Sequence, residues 1–186
     1  SNAGFVLLAY IVERATGRPF PAVMRELVFQ PAGMDRTGYY RLDMPPPDAA
    51  IGYIPHDGGW RSNVYSIPIV GGGDGGCLSN GRDMHRFWRA LAGGILLEPG
   101  TVDLMLSIHA EDTGERERYG LGVWIDESDP DIVFVQGFDP GVRFLSYFHR
   151  RSGRSLTVCA NNECRLGPVV RDFHPRLARS RVQWSA

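Results

Sequence analysis

The side chains that could act as nucleophiles or bases are scattered along the 186 residues, and one type is missing. All 20 basic residues are arginines, so the chain contains no lysine. A Schiff base, a phosphate-loop lysine and a lysine that activates a serine are therefore excluded within this chain. No G-x-S-x-G elbow occurs, and no obvious histidine partner lies next to the candidate serines: Ser62, Ser66, Ser79, Ser107, Ser146 and Ser155. A Ser-His-Asp set would have to assemble in the tertiary structure.

A glycine cluster at residues 71–76 is the second pattern that could indicate a functional site. Gly71, Gly73 and Gly76 fit G-x-G-x-x-G, which holds a dinucleotide when it joins a strand to a helix in a parallel βαβ unit. An apolar stretch precedes the cluster and a helical pattern follows it. No second parallel strand with a ribose-binding acid comes next. A nucleotide site is therefore a minor alternative, and no cofactor is expected.

Metal, nucleic-acid and membrane functions are not indicated either. No H-E-x-x-H motif and no close pairing with cysteine or carboxylate is found for the five histidines: His56, His85, His109, His149 and His174. The net charge of −1 creates no field that would attract nucleic acid, and no run of about 18 apolar residues predicts a membrane span. Three cysteines form no disulfide framework, and Cys159 lies in an apolar run typical of a buried thiol.

The periodicity of apolar residues changes from helical to strand-like along the chain. Helices are predicted at residues 4–16, 21–29, 82–91 and about 101–107, and behind Pro168. Residues 35–70 are rich in proline, glycine and aromatics and are predicted to form a long ordered loop. Strands are predicted at residues 119–126, 132–136, 142–149 and 155–160.

Helices followed by adjacent strands and a last helix predict an α+β fold, an antiparallel β-sheet with flanking helices. We expect one partial domain over residues 1–186, mainly helices and loops at 4–118, then strands and a C-terminal helix at 119–186. Ser1-Asn2-Ala3 has the look of a tag remnant, and an apolar helix follows it at once. The expectation is a domain truncated at its N-terminus.

Several landmarks in a fixed order resemble the serine β-lactamase-like family, which includes class C β-lactamases, penicillin-binding proteins, D-alanyl-D-alanine carboxypeptidases and esterases. Residues 4–17 resemble the helix after the family's Tyr-x-Asn motif. Residues 30–37 resemble its Pro-Leu-Gly-Met-x-x-Thr pattern, and residues 75–84 its Gly-Gly-Leu-x-Ser-x-x-x-Asp-Met pattern. Further similar segments are residues 96–102, 119–123, 136–142 and 161–163. The resemblance covers nearly the whole chain and implies acyl transfer by a serine nucleophile.

The motifs that carry the family's chemistry are absent or altered. Ser-x-x-Lys would lie upstream, and of Tyr-x-Asn only Asn2 is present, if that residue is native. The resemblance places the His/Lys-x-Gly motif on Val135, Gln136 and Gly137, so an apolar side chain replaces the cation. It also places an oxyanion-binding backbone N–H on Phe138.

Two functions follow from this resemblance. The first is the C-terminal part of a serine hydrolase acting on a β-lactam, a D-amino peptide or an ester, inactive as it stands. The second is a non-catalytic module that binds such a ligand without cleaving it. We also expect an exposed sheet edge, at which two copies of the chain could form a homodimer.

Overall fold

The computed structural model describes residues 1–112 and 117–178, without the side chains of Asp112 and Glu117. Within these ranges the chain forms five α-helices, a two-stranded hairpin and a six-stranded sheet. Every strand pair is antiparallel, which confirms the α+β prediction. None of the described helices is long and apolar enough to cross a bilayer.

The first helices begin and end where local side chains and glycine permit. Helix α1, Asn2–Thr16, begins with the Ser1 hydroxyl accepting a hydrogen bond from the Gly4 N–H, and it ends at Gly17, whose φ is 67°. Helix α2, Phe20–Met24, continues as one π-helical turn, Arg25–Phe29. The helix predicted at 21–29 is therefore helical throughout but widens in its second half.

The later helices agree with the predicted ones to within about two residues at each boundary. Helix α3 is Gly81–Ala92, and the Asn80 side chain accepts a hydrogen bond from the Asp83 N–H at its start. Helix α4 is Pro99–Met105, and helix α5 is Gly167–Phe173, followed by a 3₁₀ turn at His174–Arg176.

The segment predicted as a loop at residues 35–70 contains a hairpin that the sequence reading missed. Strand β1, Tyr53–His56, pairs with strand β2, Gly59–Ser62. Between them Asp57 and Gly58 have φ values of 45° and 76°, the left-handed conformation that a tight Asp-Gly hairpin turn requires. Proline in β1 and the mostly exposed side chains of both strands concealed this signal.

The large sheet is a meander in chain order. Its strands are β3 Ala110–Asp112, β4 Glu117–Tyr119, β5 Trp124–Ile125, β6 Ile132–Asp139, β7 Val142–His149 and β8 Arg154–Ala160. The single strand predicted at 119–126 is wrong, because Gly122 adopts a φ of 88° and the chain turns between β4 and β5. Strand β6 extends three residues beyond its predicted end.

The main core lies where α3 and α4 pack on the sheet. Trp88 of α3 is fully buried and stacks on Phe148 of β7, with their ring centroids 5.6 Å apart. A second buried cluster joins Phe29 and Met34 to Met84 and Ala90 of α3. Helix α3 contributes to both cores and fixes the helical part of the chain against β7 and β8.

Candidate functional site

Within residues 1–112 and 117–178, no strand pairs with the outer edge of the second half of β6. Strand β5 pairs with β6 only at Phe134 and Val133, whereas β7 pairs with β6 over all eight residues. From Gln136 to Asp139 every residue of β6 is exposed. A strand edge that is paired on one side only presents backbone N–H and C=O groups to a ligand.

The hairpin register shows which backbone groups face this free edge. Asp139 and Val142 flank the two-residue turn Pro140-Gly141, so they form a hydrogen-bonded pair. Because hydrogen-bonded and non-hydrogen-bonded pairs alternate, the backbone groups of Phe138 and Gln136 point away from β7. These are two of the four predicted site residues on β6, and both direct an N–H and a C=O outward.

Val135 and Gly137 lie on the opposite face of the strand from the Gln136 and Phe138 side chains. The Val135 side chain is half-buried and packs against both core clusters. A Cβ added at Gly137 would meet no atom within 4 Å, so the space beside this residue is open. The position that the resemblance assigns to a cation is thus occupied by a core-packing side chain.

Phe138 is 72% exposed at the end of β6, and Arg143 of β7 lies beside it. The Arg143 guanidinium carbon is 5.3 Å from the centroid of the Phe138 ring. Its Nη1 donates to the backbone carbonyls of Asp139 and Val142. These contacts hold the guanidinium against the turn, on the face opposite Val135.

Two side chains from distant segments hold the Pro140-Gly141 turn in place. Asn63, which is buried, donates from Nδ2 to the Pro140 carbonyl at 2.9 Å, and Glu163 accepts a hydrogen bond from the Gly141 N–H at 3.3 Å. Asn161 closes the same region, because its carbonyl accepts from the Tyr53 N–H and its side chain donates to Ile51. The end of β6 is therefore rigidly supported.

Asn2 is not brought to β6 by any described interaction. It is an exposed residue in the first turn of α1. No hydrogen bond joins its side chain to a described residue of β6. The predicted site residues Val135, Gln136, Gly137 and Phe138 thus form one strand edge, and Asn2 stands apart.

The glycine cluster has a packing role that explains its composition. Gly72 and Gly75 pair across a tight turn, and a Cβ at Gly73 would lie 2.3 Å from the Phe5 carbonyl oxygen and 2.5 Å from the Ala9 Cβ. The turn therefore presses directly on α1. No parallel strand pair occurs in the described chain, so the structural setting of a dinucleotide fingerprint is not present.

Two serine hydroxyls each lie close to a histidine imidazole, and the sequence predicted neither pair. Ser155 Oγ lies 2.8 Å from His85 Nδ1, and Ser107 Oγ lies 3.2 Å from His109 Nε2. Both pairs are exposed, and no described carboxylate contacts either imidazole. Without a buried carboxylate to orient the imidazole, neither pair has the arrangement of a catalytic triad.

One cluster of residues from separate parts of the sequence has metal-ligand composition. Asp129, Asp131 and buried His149 bring their ligand atoms within 4.8 Å of one another. His149 Nδ1 accepts the Ser152 N–H at 3.0 Å, so a neutral imidazole carries its proton on Nε2, 3.5 Å from Asp129. Asp131 pairs with Arg151 at 2.6 Å. These groups satisfy one another, and the set does not fit a metal site.

The register of the β6–β7 hairpin could have predicted this cluster from the sequence. Counting outward from Pro140-Gly141 pairs Ile132 with His149, which places the imidazole beside Asp131 and Asp129. Sequence spacing alone puts these residues far apart.

The thiols are poor candidates for nucleophiles. Burial raises the pKa of Cys77 to about 12, so its thiol remains protonated at neutral pH. Cys159 is exposed at the sheet edge, which corrects the prediction of a buried thiol. No disulfide is formed by the three cysteines.

Two of the family landmarks meet in space. The Thr37 hydroxyl and the Arg36 N–H both donate to the Asp83 carboxylate at 2.9 Å, and Asp83 is buried. Met34 and Met84 lie in the same core cluster. The segments at 30–37 and 75–84 are therefore one structural unit around a buried carboxylate.

Comparison with known proteins agrees with this geometry. The family described as Beta-lactamase matches residues 1–170. The putative penicillin-binding protein PbpX of Bacillus subtilis is 27% identical over 175 residues, which are 90% of this chain and 41% of that protein. The crystal structure of a penicillin-binding protein from Bacillus halodurans has a TM-score of 0.87 and 38% identity, covering 95% of this chain and 55% of that one.

A D-stereospecific amidohydrolase from Streptomyces has a TM-score of 0.73 and 25% identity, over 88% of this chain and 50% of that chain. The chain thus spans about half the length of the proteins it matches. The open strand edge at Gln136–Phe138, the buried Asp83 unit and these matches support one conclusion: the chain belongs to the beta-lactamase family, with penicillin-binding proteins among its relatives.

Proposed function

We propose that this chain forms the substrate-binding and oxyanion-binding wall of an acyl-transfer cleft in a serine hydrolase. The free edge of β6 carries the proposal. An extended substrate lies along Gln136–Phe138 and exchanges backbone hydrogen bonds with the outward groups of both residues. The firmly held Pro140-Gly141 turn keeps this edge in position.

In the proposed reaction, the Phe138 N–H donates to the carbonyl oxygen of the substrate. As a serine attacks the carbonyl carbon, that oxygen gains negative charge and the hydrogen bond strengthens. The chain has no lysine to activate a serine and no serine in a triad among the described residues. The nucleophile and its base therefore come from a part of the protein outside these residues.

The substrate class follows from the family and from the open space beside Gly137. A β-lactam, a D-amino peptide or amide and a simple ester all present a carbonyl that can accept from Phe138 and a chain that can lie along β6. The D-stereospecific amidohydrolase among the similar structures supports an amide as the substrate. No nucleic acid is expected as a partner.

The first test is turnover by the chain alone. We expect no hydrolysis of a chromogenic cephalosporin or of p-nitrophenyl esters above the buffer rate, because nucleophile and base are both missing. Turnover that a serine-reactive phosphonate abolishes would show that a serine of this chain is the nucleophile, and the proposed division of roles would be wrong.

The role of the β6 edge is tested by binding. Benzylpenicillin and acetyl-D-alanyl-D-alanine should each shift the backbone amide resonances of Gln136 and Phe138 in a titration followed by NMR. Gly137→Val places a side chain in the open space and should abolish these shifts. Gly100→Val is the control, since Gly100 also has no atom within 4 Å of an added Cβ. Unperturbed Gln136 and Phe138 amides at saturating ligand would reject this site.

A non-catalytic binding module is the second candidate function. Val135 favours it, because the position given to a cation in the family packs into the core here instead. Val135→Lys in the complete protein separates the two candidates. A catalytic cleft gains or changes turnover when the cation returns, whereas a binding module changes only its affinity for ligand.

We also propose that the isolated chain forms a homodimer through the free edge of β8. Among the residues that the structure describes, β7 is the one strand that pairs with β8. Light scattering should show a dimer at high protein concentration. Cys159→Pro removes an outward N–H and should yield monomers, and Cys159→Ser, which keeps the N–H, should not. A monomer at all concentrations would contradict the dimer.

A further inference from the structure

The turn between β6 and β7 has a conformation that hairpin strands disfavour. The ring of Pro140 holds its φ at about −65°, and Gly141 has a φ of 77°. This combination is that of a type II turn. Two-residue hairpins favour the primed turn types, whose backbone twist matches that of the strands, whereas a type II turn splays them. The end of β6 therefore depends on support from outside the hairpin.

Two side chains hold a single peptide group of this turn. The Pro140 C=O and the Gly141 N–H belong to the same peptide group and point in opposite directions. Asn63 Nδ2 donates to the C=O at 2.9 Å, and Glu163 Oε1 accepts from the N–H at 3.3 Å. A rotation of this group by about 180° converts a type II turn into a type I turn. That rotation would reverse both groups and break both hydrogen bonds, so Asn63 and Glu163 favour one turn type.

Asn63 is itself held firmly, although it follows the exposed strand β2. The residue is 4% exposed, and its N–H donates to the Gly52 carbonyl at 2.9 Å. A Cβ added at Gly52 would lie 2.3 Å from Asn63 Nδ2 and 2.8 Å from the Gly141 oxygen. The Asn63 amide is thus enclosed between Gly52 and the turn, and it donates from a fixed position.

The turn type affects the β6 edge through the strand itself. Phe138 lies two residues before Pro140, and the pair of Asp139 with Val142 closes the hairpin between them. Rotation of the turn peptide changes the twist of this closing pair, and with it the direction of the Phe138 N–H. Because a hydrogen bond weakens steeply as its angle departs from linear, the direction of this N–H decides how well it binds a carbonyl oxygen.

We propose that Asn63, together with Glu163, is a positioning residue for the oxyanion-binding N–H of Phe138. Asn63 acts through the Pro140-Gly141 turn and keeps β6 in the conformation that binds a substrate carbonyl. This inference rests on the proposed function for the identity of the ligand. The effect on the turn rests on the hydrogen bonds of Asn63 and Glu163 alone.

NMR of the full chain tests the role of Asn63. A type II turn brings the Pro140 Hα close to the Gly141 N–H and gives a strong NOE, which weakens in a type I turn. In Asn63→Ala we expect a weaker NOE and a shifted Phe138 amide resonance before any ligand is added. The apparent Kd for benzylpenicillin, measured from the β6 amide shifts, should rise about tenfold if one molecule in ten retains the competent turn.

Ser146→Ala is the matched control for a loss of stability. It also removes a buried hydrogen bond, but the bond is the one that Trp88 donates on the α3 side of the sheet. This variant should keep the strong NOE, and its Kd should stay within about twofold of wild type. Circular dichroism melting gives a temperature at which both variants are fully folded, where lost stability alone does not weaken binding.

Glu163 provides a second test that does not depend on a buried position. Its side chain is exposed, so substitution leaves the core intact. Glu163→Ala should weaken the NOE in the same direction as Asn63→Ala. Glu163→Gln should retain the wild-type NOE, because its amide oxygen still accepts from the Gly141 N–H. This pair decides the question if Asn63→Ala does not fold.

The outcomes separate this inference from the proposed function. An unchanged NOE and Phe138 resonance in Asn63→Ala overturns the positioning role. A changed turn with unchanged benzylpenicillin affinity also overturns it, because the turn would then not control binding. If the wild-type chain shows no ligand-induced shifts, the proposed function fails, and a weakened NOE in Asn63→Ala still supports the control of the turn.

Discussion

Trp88, Ser146 and Thr157 form a hydrogen-bond chain that connects α3 to the two last strands. Trp88 Nε1 donates to Ser146 Oγ at 2.9 Å, and Ser146 Oγ lies 2.8 Å from Thr157 Oγ1. Ser146 is fully buried, so no water can replace it as the acceptor. Because a buried N–H without a partner is costly, this serine fixes the orientation of the largest core side chain.

Ser146→Ala should therefore lower the free energy of unfolding by about 1–3 kcal/mol, the cost of leaving a buried donor unsatisfied. Ser155→Ala is the matched control on β8. Its hydroxyl contacts exposed His85, and its loss should change stability by about 0.5 kcal/mol or less. Urea denaturation followed by Trp fluorescence measures both. Equal midpoints for the two variants would show that the Trp88 contact contributes little.

At the scale of elements, the position of α1 depends on the glycine turn at residues 71–76. Gly73 lies against the helix backbone so closely that no side chain fits between them. The glycine content of this turn thus reflects close packing of two elements. The same closeness positions the exposed apolar face of α1.

Gly73→Ala should destabilise the chain by about 1–3 kcal/mol, as overpacking of a tight contact does. The added Cβ meets the Phe5 carbonyl and the Ala9 side chain, and α1 must move away to admit it. Gly100→Ala adds the same methyl group in open space on α4 and should be neutral or stabilising by up to about 1 kcal/mol. Thermal melting compares the two, and an unchanged Gly73 variant would refute the close packing.

At the scale of the whole molecule, Asp126 attaches the C-terminal region to the sheet. Its Oδ2 lies 3.0 Å from His174 Nε2, and its Oδ1 accepts the Ser128 hydroxyl and the N–H groups of Ser128 and Asp129. Burial opposes ionisation of the carboxyl group. The hydrogen bonds from Ser128, the charge of His174 and the two backbone N–H groups outweigh it and lower the pKa of Asp126.

A lowered pKa in the folded state means that Asp126 stabilises the fold above its unfolded pKa of about 4, and that this contribution is lost as the pH falls further. The wild-type chain should therefore lose more stability between pH 5 and pH 3 than Asp126→Asn does. Denaturation midpoints across this range measure the difference. Parallel pH profiles for the two proteins would show that the ionised carboxylate does not hold the C-terminal region.

The sequence alone predicted the helices, an antiparallel sheet and strands β6, β7 and β8, but it missed β1, β2 and β3 and merged β4 with β5. The proposed site residues on β6 came from the family resemblance. The correctly predicted elements are indicated by the periodicity of apolar residues and by turn residues, which are patterns within a few neighbouring positions. The absence of lysine from the chain is also a property of composition. The Asp-Gly turn of β1 and β2 was a local signal that the surrounding proline and polar residues concealed.

Contacts between residues that are distant in the sequence became known only from the tertiary structure. Only the sheet register brings His149 to Asp129 and turns the Phe138 N–H toward a free edge, because pairing depends on how two strands align and on where β5 departs from β6. Only packing shows that Gly73 touches α1 and that Val135 faces the core. Burial and contact are properties of the whole chain, and no spacing of residues along it specifies them.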